Sequence, residues 1–298
     1  MSSAFRVTQR TMSQGALNNL QGNLSRMQSM QEHLSSGKAI EKPSDSPTGT
    51  VAALRYRADI RRSGQYVRNA QDGLGWLGTA DTALTKVSEV SRRVRDLLMG
   101  SVNGSIGPGE RDAMAAEVDV LREELISLAN TTYQGRPIFA GKVSGVQAYD
   151  AAGNYLGSPS PSPVERSVAP GMKVQVNMTG EEVFGPNATD LFKVVAEIAN
   201  DLRTNPSDLA VTDLTNLDAA TTQVLNAVAG IGARYHQVET MRTRMDDAII
   251  EQTNGLAEVD SIDLPKAITE LQMQEMAYKA ALSATGRTLQ PSLMDFIR

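Results

Sequence analysis

The chain has 298 residues, with 29 Lys and Arg against 34 Asp and Glu for a net charge of −5, and no cysteine. Disulfides, thiolate metal sites and thiol catalysis are therefore excluded together, and the mild negative balance gives no electrostatic ground for a nucleic-acid or acidic-membrane partner. Aromatic residues make up 4% and apolar residues 41%, a mix that suits long helices packed as coiled coils better than a globular enzyme.

Residues 12–34 read as one amphipathic helix, about 35 Å long at the α-helical rise. Leu17, Leu20, Leu24, Met27 and Leu34 recur at heptad a/d spacing, with Gln31 in the remaining slot. Gly37 suits the position just past a helix end. The stretch from Glu41 to Gly49 is dense in turn and capping residues, Pro43 and Asp45 among them, and reads as a loop. Pro47, behind a Ser/Asp cap, opens a second helix. Its apolar spacing runs through Leu54, Ile60, Val67, Leu74, Leu84 and Leu98, and unbroken from about 48 to 99 it would span roughly 75 Å. A Gly-rich turn over 100–109 precedes a third helix, from about Glu110 to Asn130. The short connection makes it an antiparallel neighbour of the second.

From Gly141 to about Pro186 the helical rhythm vanishes. Gly and Pro multiply, and Lys173 to Met178 alternates as a strand does. Helix returns at about Asn187, breaks near Asn205-Pro206 and resumes from Ser207 to about Asn254, where Asn254-Gly255 allows a break. A terminal helix opens at Leu264-Pro265, and Leu264, Ile268, Leu271, Tyr278, Leu282 and Leu289 repeat the 3-and-4 rhythm. A narrow apolar stripe buries little by itself, so the two ends must pair with each other or with other copies of the chain. The expected fold is mainly α: a long antiparallel helical bundle or coiled coil built from both chain ends, with a small β-rich inserted domain. The expected domains are 1–45 with 265–298 as a terminal coiled coil, 46–140 with 187–264 as a helical bundle, and 141–186 as the insertion.

Motifs with chemical meaning are few. Gly73-Leu-Gly75-Trp-Leu-Gly78 matches the dinucleotide fingerprint in letters, but that fingerprint follows a strand and opens a helix, and here it falls inside a helix. Its glycines are expected to let helices approach closely. His33 and His236 are the only histidines, which leaves no material for a zinc site or a His-based triad. Arg55, Arg57, Arg61, Arg62 and Arg68 form a basic run, expected to pair with carboxylates of a packed neighbour such as the 117–124 acidic run or another subunit. No metal, cofactor or catalytic group is expected. No stretch of about 18 apolar residues suggests a membrane span, and Met1 to Arg10 lacks the apolar core of a secretory signal.

Three segments carry a resemblance. Leu34 to Gly49 resembles the loop that follows the first helix in bacterial flagellins and their relatives. Asn69-Ala-Gln-Asp-Gly73 is similar to the Asn-Ala-x-Asp-Gly element on their second helix. Ser292 to Arg298 resembles their C-terminal end. The resemblance covers about 1–140 and 187–298. Within the family, Ala129 to Gly141, with its Ile138-Phe139-Ala140-Gly141, and Val174 to Phe184 look more like members at the hook–filament junction than filament flagellins.

The resemblance implies a structural subunit of the flagellum, forming a ring that joins hook to filament without catalysis; the alternative is a filament flagellin with a short outer domain. The terminal helices would pack as inner coiled coils against neighbouring copies through Leu17, Leu20, Leu24, Met27, Leu34, Leu271, Tyr278, Leu282 and Leu289. Pro43, Asp45 and Gly49 in the loop, with Arg61 and Arg62, are the candidate intersubunit contacts. Implied partners are copies of the chain, the adjacent hook-associated protein, flagellin and an export chaperone. Export would run through the flagellar type III channel without a cleaved signal, to an extracellular site on the flagellum.

Overall fold

The computed structural model describes residues 9–102, 106–143, 145, 147–186, 189–205 and 209–288, and these are mainly α. Helix α1 (Gln9–Ser36) stops where Gly37 turns left-handed at φ 70° and its N–H closes onto the His33 carbonyl at 2.9 Å. Without a Cβ, glycine takes that conformation at no steric cost. Helix α2 (Pro47–Ser101) opens on Pro47, and Ser46 Oγ accepts from the Gly49 N–H at 3.1 Å, a side-chain cap on the first turn. Helix α3 (Pro108–Ala129) follows.

Strands β1 (Thr132–Tyr133) and β2 (Arg136–Pro137) form a hairpin turned by Gln134 and Gly135, both at positive φ (50° and 76°). That is the two-residue turn whose twist matches its strands. Strand β3 (Glu165–Ala169) pairs antiparallel with β4 (Met172–Gln175). Then come α4 (Gly180–Phe184), α5 (Leu191–Thr204), a π-helical turn at Leu209–Asp213, α6 (Leu214–Asp260) and α7 (Leu264–Thr288).

Three expectations are corrected. Helix α5 starts at Leu191 rather than near Asn187, because Asp190 caps it by accepting from the Lys193 N–H at 2.9 Å. Helix α6 runs through Asn254-Gly255 without a break. Gly255 faces the Tyr56 ring, and a Cβ there would lie 2.7 Å from it, so the glycine serves close approach of two helices. Among the described residues, the paired carboxylates of the 117–124 acidic run meet arginines outside 55–68. Glu117 pairs with Arg93 and Asp119 with Arg203, each at 2.6 Å, whereas Arg57 pairs with Asp260 at 2.6 Å.

The chain divides into two compact units. In Met1–Ile60 with Ile250–Arg298, α1 packs along α7, and the first turns of α2 pack antiparallel on the last turns of α6 through Tyr56–Gly255 and Arg57–Asp260. In Arg61–Ile249, α2 again runs antiparallel to α6, with Gly73 beside Val238, Gly78 beside Tyr235 and Arg95 paired to Asp218 at 2.8 Å. There α3 folds back on α2, and α5 on α3, where Arg122 Nε donates to the Phe192 carbonyl at 3.0 Å. Leu84, Val87, Val94 and Leu98 of α2 are wholly or almost wholly buried with Leu125, Ile198, Leu217 and Val224. Beside this core, Phe139, Tyr149, Phe184 and Phe192 close an aromatic cluster, with Tyr149 and Phe192 centred 4.7 Å apart and Phe139 and Phe184 5.4 Å apart. Edge-on contacts of this kind order a small core that has little else to bury.

Gly255→Ala should lower stability by about 1–3 kcal/mol, because its methyl must displace Tyr56. Gly22→Ala, in open space on α1, should raise stability by roughly 0.5–1 kcal/mol; denaturation midpoints read both. Burial raises the Asp190 carboxyl above its ordinary 3.8, while the Lys193 N–H bond pulls it down. The folded state therefore holds that proton longer, and the contribution falls as pH rises from 3.8 to the folded value. Asp190→Asn, which keeps a capping oxygen, should flatten the fall in denaturation midpoint as pH rises above 3.8.

Candidate assembly interface

The loop after α1 meets the connection before α7. Ala39 N–H donates to the Asp260 carbonyl at 2.7 Å and Ile262 N–H to the Gly37 carbonyl at 3.1 Å, around an antiparallel bridge of Lys38 and Ser261. The end of α1 thus lies beside the start of α7, and the two helices run antiparallel. A covered stripe runs along α1 through Ala16, Leu20, Asn23, Met27, Met30 and Leu34, at steps of 4, 3, 4, 3 and 4. The same steps run along α7 through Ala267, Leu271, Gln274, Tyr278, Ala281 and Thr285. These are heptad seams.

The heptad phase differs from the one read in the sequence. Leu20, Met27, Leu34, Leu271 and Tyr278 lie in the seam, half-buried, while Leu17, Leu24 and Leu282 are exposed. Met30 completes the α1 stripe and Gln31 is exposed. Helix α1 carries two overlapping stripes that share Leu20, Met27 and Leu34, and only one of them meets α7. On α7, Leu264, Ile268, Met273 and Met276 are also uncovered, Met276 by 63%. Leu289 lies outside the described residues. Small and polar residues fill half the seam, so pairing within the chain buries little and leaves the larger apolar side chains outward.

The loop residues have work inside the chain. Asp45 Oδ2 accepts from the Lys42 N–H at 2.8 Å and the Glu41 N–H at 3.1 Å, which holds its carboxyl below the ordinary value. A Cβ on Gly49 would lie 2.5 Å from Ile40. Pro43 is exposed, as are Arg61 and Arg62 on α2.

The glycines of the fingerprint-like segment are taken up by packing. Gly73 lies under Val176, and Gly75 sits where any side chain would strike Tyr133. His33 Nδ1 lies 3.0 Å from the Lys38 carbonyl, and His236 is exposed. Among the described residues, no group of three His, Asp or Glu could hold a metal, and no helix is long and apolar enough to cross a membrane. One role escapes sequence reasoning. Asn69 Nδ2 donates to the Ser167 carbonyl at 2.9 Å and Asp72 pairs with Arg166 at 2.7 Å, so the Asn-Ala-x-Asp-Gly element fastens β3 to α2. Its resemblance to a family element was the only signal at those positions.

Residues 7–144 match the family model of the bacterial flagellin N-terminal helical region. Flagellar hook-associated protein 3 of Escherichia coli K12 is 23% identical over 278 residues, covering 85% of this chain and 87% of that protein. Polar flagellin F of Vibrio parahaemolyticus is 32% identical over 172 residues, covering 57% of this chain but 44% of the flagellin. The fold matches that of the flagellar junction protein FlgL from Legionella pneumophila, with a TM-score of 0.57 at 16% identity over 70% of this chain and 100% of that one. Over residues 7–144 the chain is thus similar to the flagellin N-terminal helical region, and along most of its length its sequence is similar to hook-associated protein 3 and its fold to FlgL.

Proposed function

We propose that copies of this chain form the ring that joins hook to filament, a mechanical role without catalysis. The observation that carries this is the uncovered apolar face of α1 and α7, where Leu17, Leu24, Met273, Met276 and Leu282 stand exposed on helices already paired with each other. Each such side chain contributes about 1.5–3 kcal/mol when a neighbour covers it fully. Supporting the junction over the filament, similarity to hook-associated protein 3 runs along 85% of the chain, whereas the match to polar flagellin F runs along 57%.

In this proposal, residues 1–45 with 265–298 form the inner assembly layer, 46–140 with 187–264 the bundle around it, and 141–186 face outward. The neighbours are further copies, a hook-associated protein on one side and flagellin on the other. Pro43, Asp45 and Gly49 shape a loop at the subunit boundary. Transit through the flagellar type III channel and shielding by an export chaperone belong to the same proposal, and the exposed methionines of α7 would otherwise invite aggregation.

Electron microscopy of the full chain, alone and with hooks stripped of filament, tests the role. The expected result is no filament from the protein alone and a short cap on hooks that then accepts flagellin. Long filaments from the protein alone would make it a filament flagellin. Leu24→Asp and Met276→Asp should leave the helicity of the isolated protein unchanged and abolish capping. Met30→Asp, inside the seam, should lower helicity itself.

A further inference from the structure

Two exposed stripes of opposite charge lie far apart in the unit Arg61–Ile249. On α2, Arg61, Gln65 and Arg68 recur at intervals of 4 and 3 on one exposed side, with Arg62 beside them. Arg68 donates to its neighbour Gln65 at 2.7 Å, and among the described residues no ion pair ties Arg61 or Arg68. On α3, Ala116, Val120, Glu123 and Ser127 recur at intervals of 4, 3 and 4, with Glu124 adjoining, and all are exposed. Val120 is 64% exposed and gives this stripe an apolar centre beside its two glutamates. Among the described residues, neither Glu123 nor Glu124 has an ion-pair partner, although Glu117 and Asp119 on the same helix are both paired.

The two stripes cannot meet within one chain. The Arg93–Glu117 pair fixes α3 against α2, so Glu123 comes level with about residue 87 of α2. Arg61 is then about 26 residues away along the same helix, or roughly 40 Å. A long helix paired with α6 does not fold back over that distance.

We propose that the Arg61–Arg68 stripe of one copy docks on the Val120–Glu124 stripe of a second copy. This inference rests on the junction role and names the contact that its arginines make. The two patches differ, so the contact is heterologous: each copy offers one patch to a neighbour on either side, and the series closes into a ring or winds into a helix. Exposed charges of this kind set orientation and partner choice more than raw affinity, and salt weakens them.

The test reads attachment of the full chain to stripped hooks by sedimentation and microscopy. Arg61→Glu with Arg62→Glu should lower attachment about tenfold or more, as should Glu123→Arg with Glu124→Arg, because each sets like charges face to face. One chain carrying all four substitutions restores complementarity at every contact and should recover attachment. Unchanged helicity in all three variants shows that the fold is intact, since every site is exposed. If the fourfold variant is as defective as either reversal, or if the acidic reversal attaches normally, the pairing is wrong. In the latter case the arginines face a different protein. Failure of the unaltered chain to join hooks would overturn the junction role and this contact with it, whereas joining without rescue overturns the contact alone.

Discussion

A helix that carries two overlapping heptad stripes cannot cover both with one partner. That constraint organises the chain ends. Leu20, Met27 and Leu34 belong to both stripes of α1, and pairing with α7 takes the side that also holds Ala16, Asn23 and Met30. Leu17 and Leu24 are left outward. Within the unit Met1–Ile60 with Ile250–Arg298, the Arg57–Asp260 pair and the ladder of residues 37–39 with 260–262 hold the end of α1 beside the start of α7. A nearly buried aspartate held by one arginine costs more to strand than to pair, so this closure is specific as well as favourable.

The β-hairpin of β3 and β4 braces the pairing of α2 with α6. It is tied to α2 through Asn69 and Asp72, and Asn177, two residues past β4, is tied to α6 through Arg234, which donates to its carbonyl at 2.9 Å. Asn177 is buried with its side chain satisfied, accepting from the Val164 N–H at 2.6 Å and donating to the Ser162 carbonyl at 2.9 Å. Two long helices in contact could slide by a turn at modest cost. A polar network that touches both fixes one register, because a slide would leave buried donors and acceptors unpaired.

Much of this was legible in the sequence wherever a local rule applied. Gly37 ended α1, Pro47 opened α2, and the 3.6-residue period of α2 carried over its full 55 residues. The resemblance of the 34–49 loop and the Asn-Ala-x-Asp-Gly element pointed to the same N-terminal helical region that the family model matches. The seam phase was not legible, since the outward stripe, with Leu17 and Leu24, is the more apolar of the two on α1 and only the position of α7 selects the one with Ala16 and Asn23. Gly255 misled because a glycine that breaks a helix and one that admits a tyrosine look alike in a string of letters. The hairpin β1–β2 and the five-residue α4 are too short to show a period. The aromatic cluster gathers residues from Phe139 to Phe192, joined only by the fold. The covered and uncovered apolar positions of the ends became distinct only once α7 was in place.

The thin seam between α1 and α7 has a kinetic consequence. Its two halves are held at one end by the ladder of residues 37–39 with 260–262, so the entropy of bringing them together is met once, by α2 and α6. From that end the helices can close turn by turn, each turn adding a small gain, and can open again in reverse order. A strong seam of paired leucines would open all at once or not at all. A weak one lets the outermost turns exchange their partner for a neighbour's helix while the inner turns stay joined. In the proposed junction role, α1 and α7 can then pass from each other to a neighbouring copy without first coming apart.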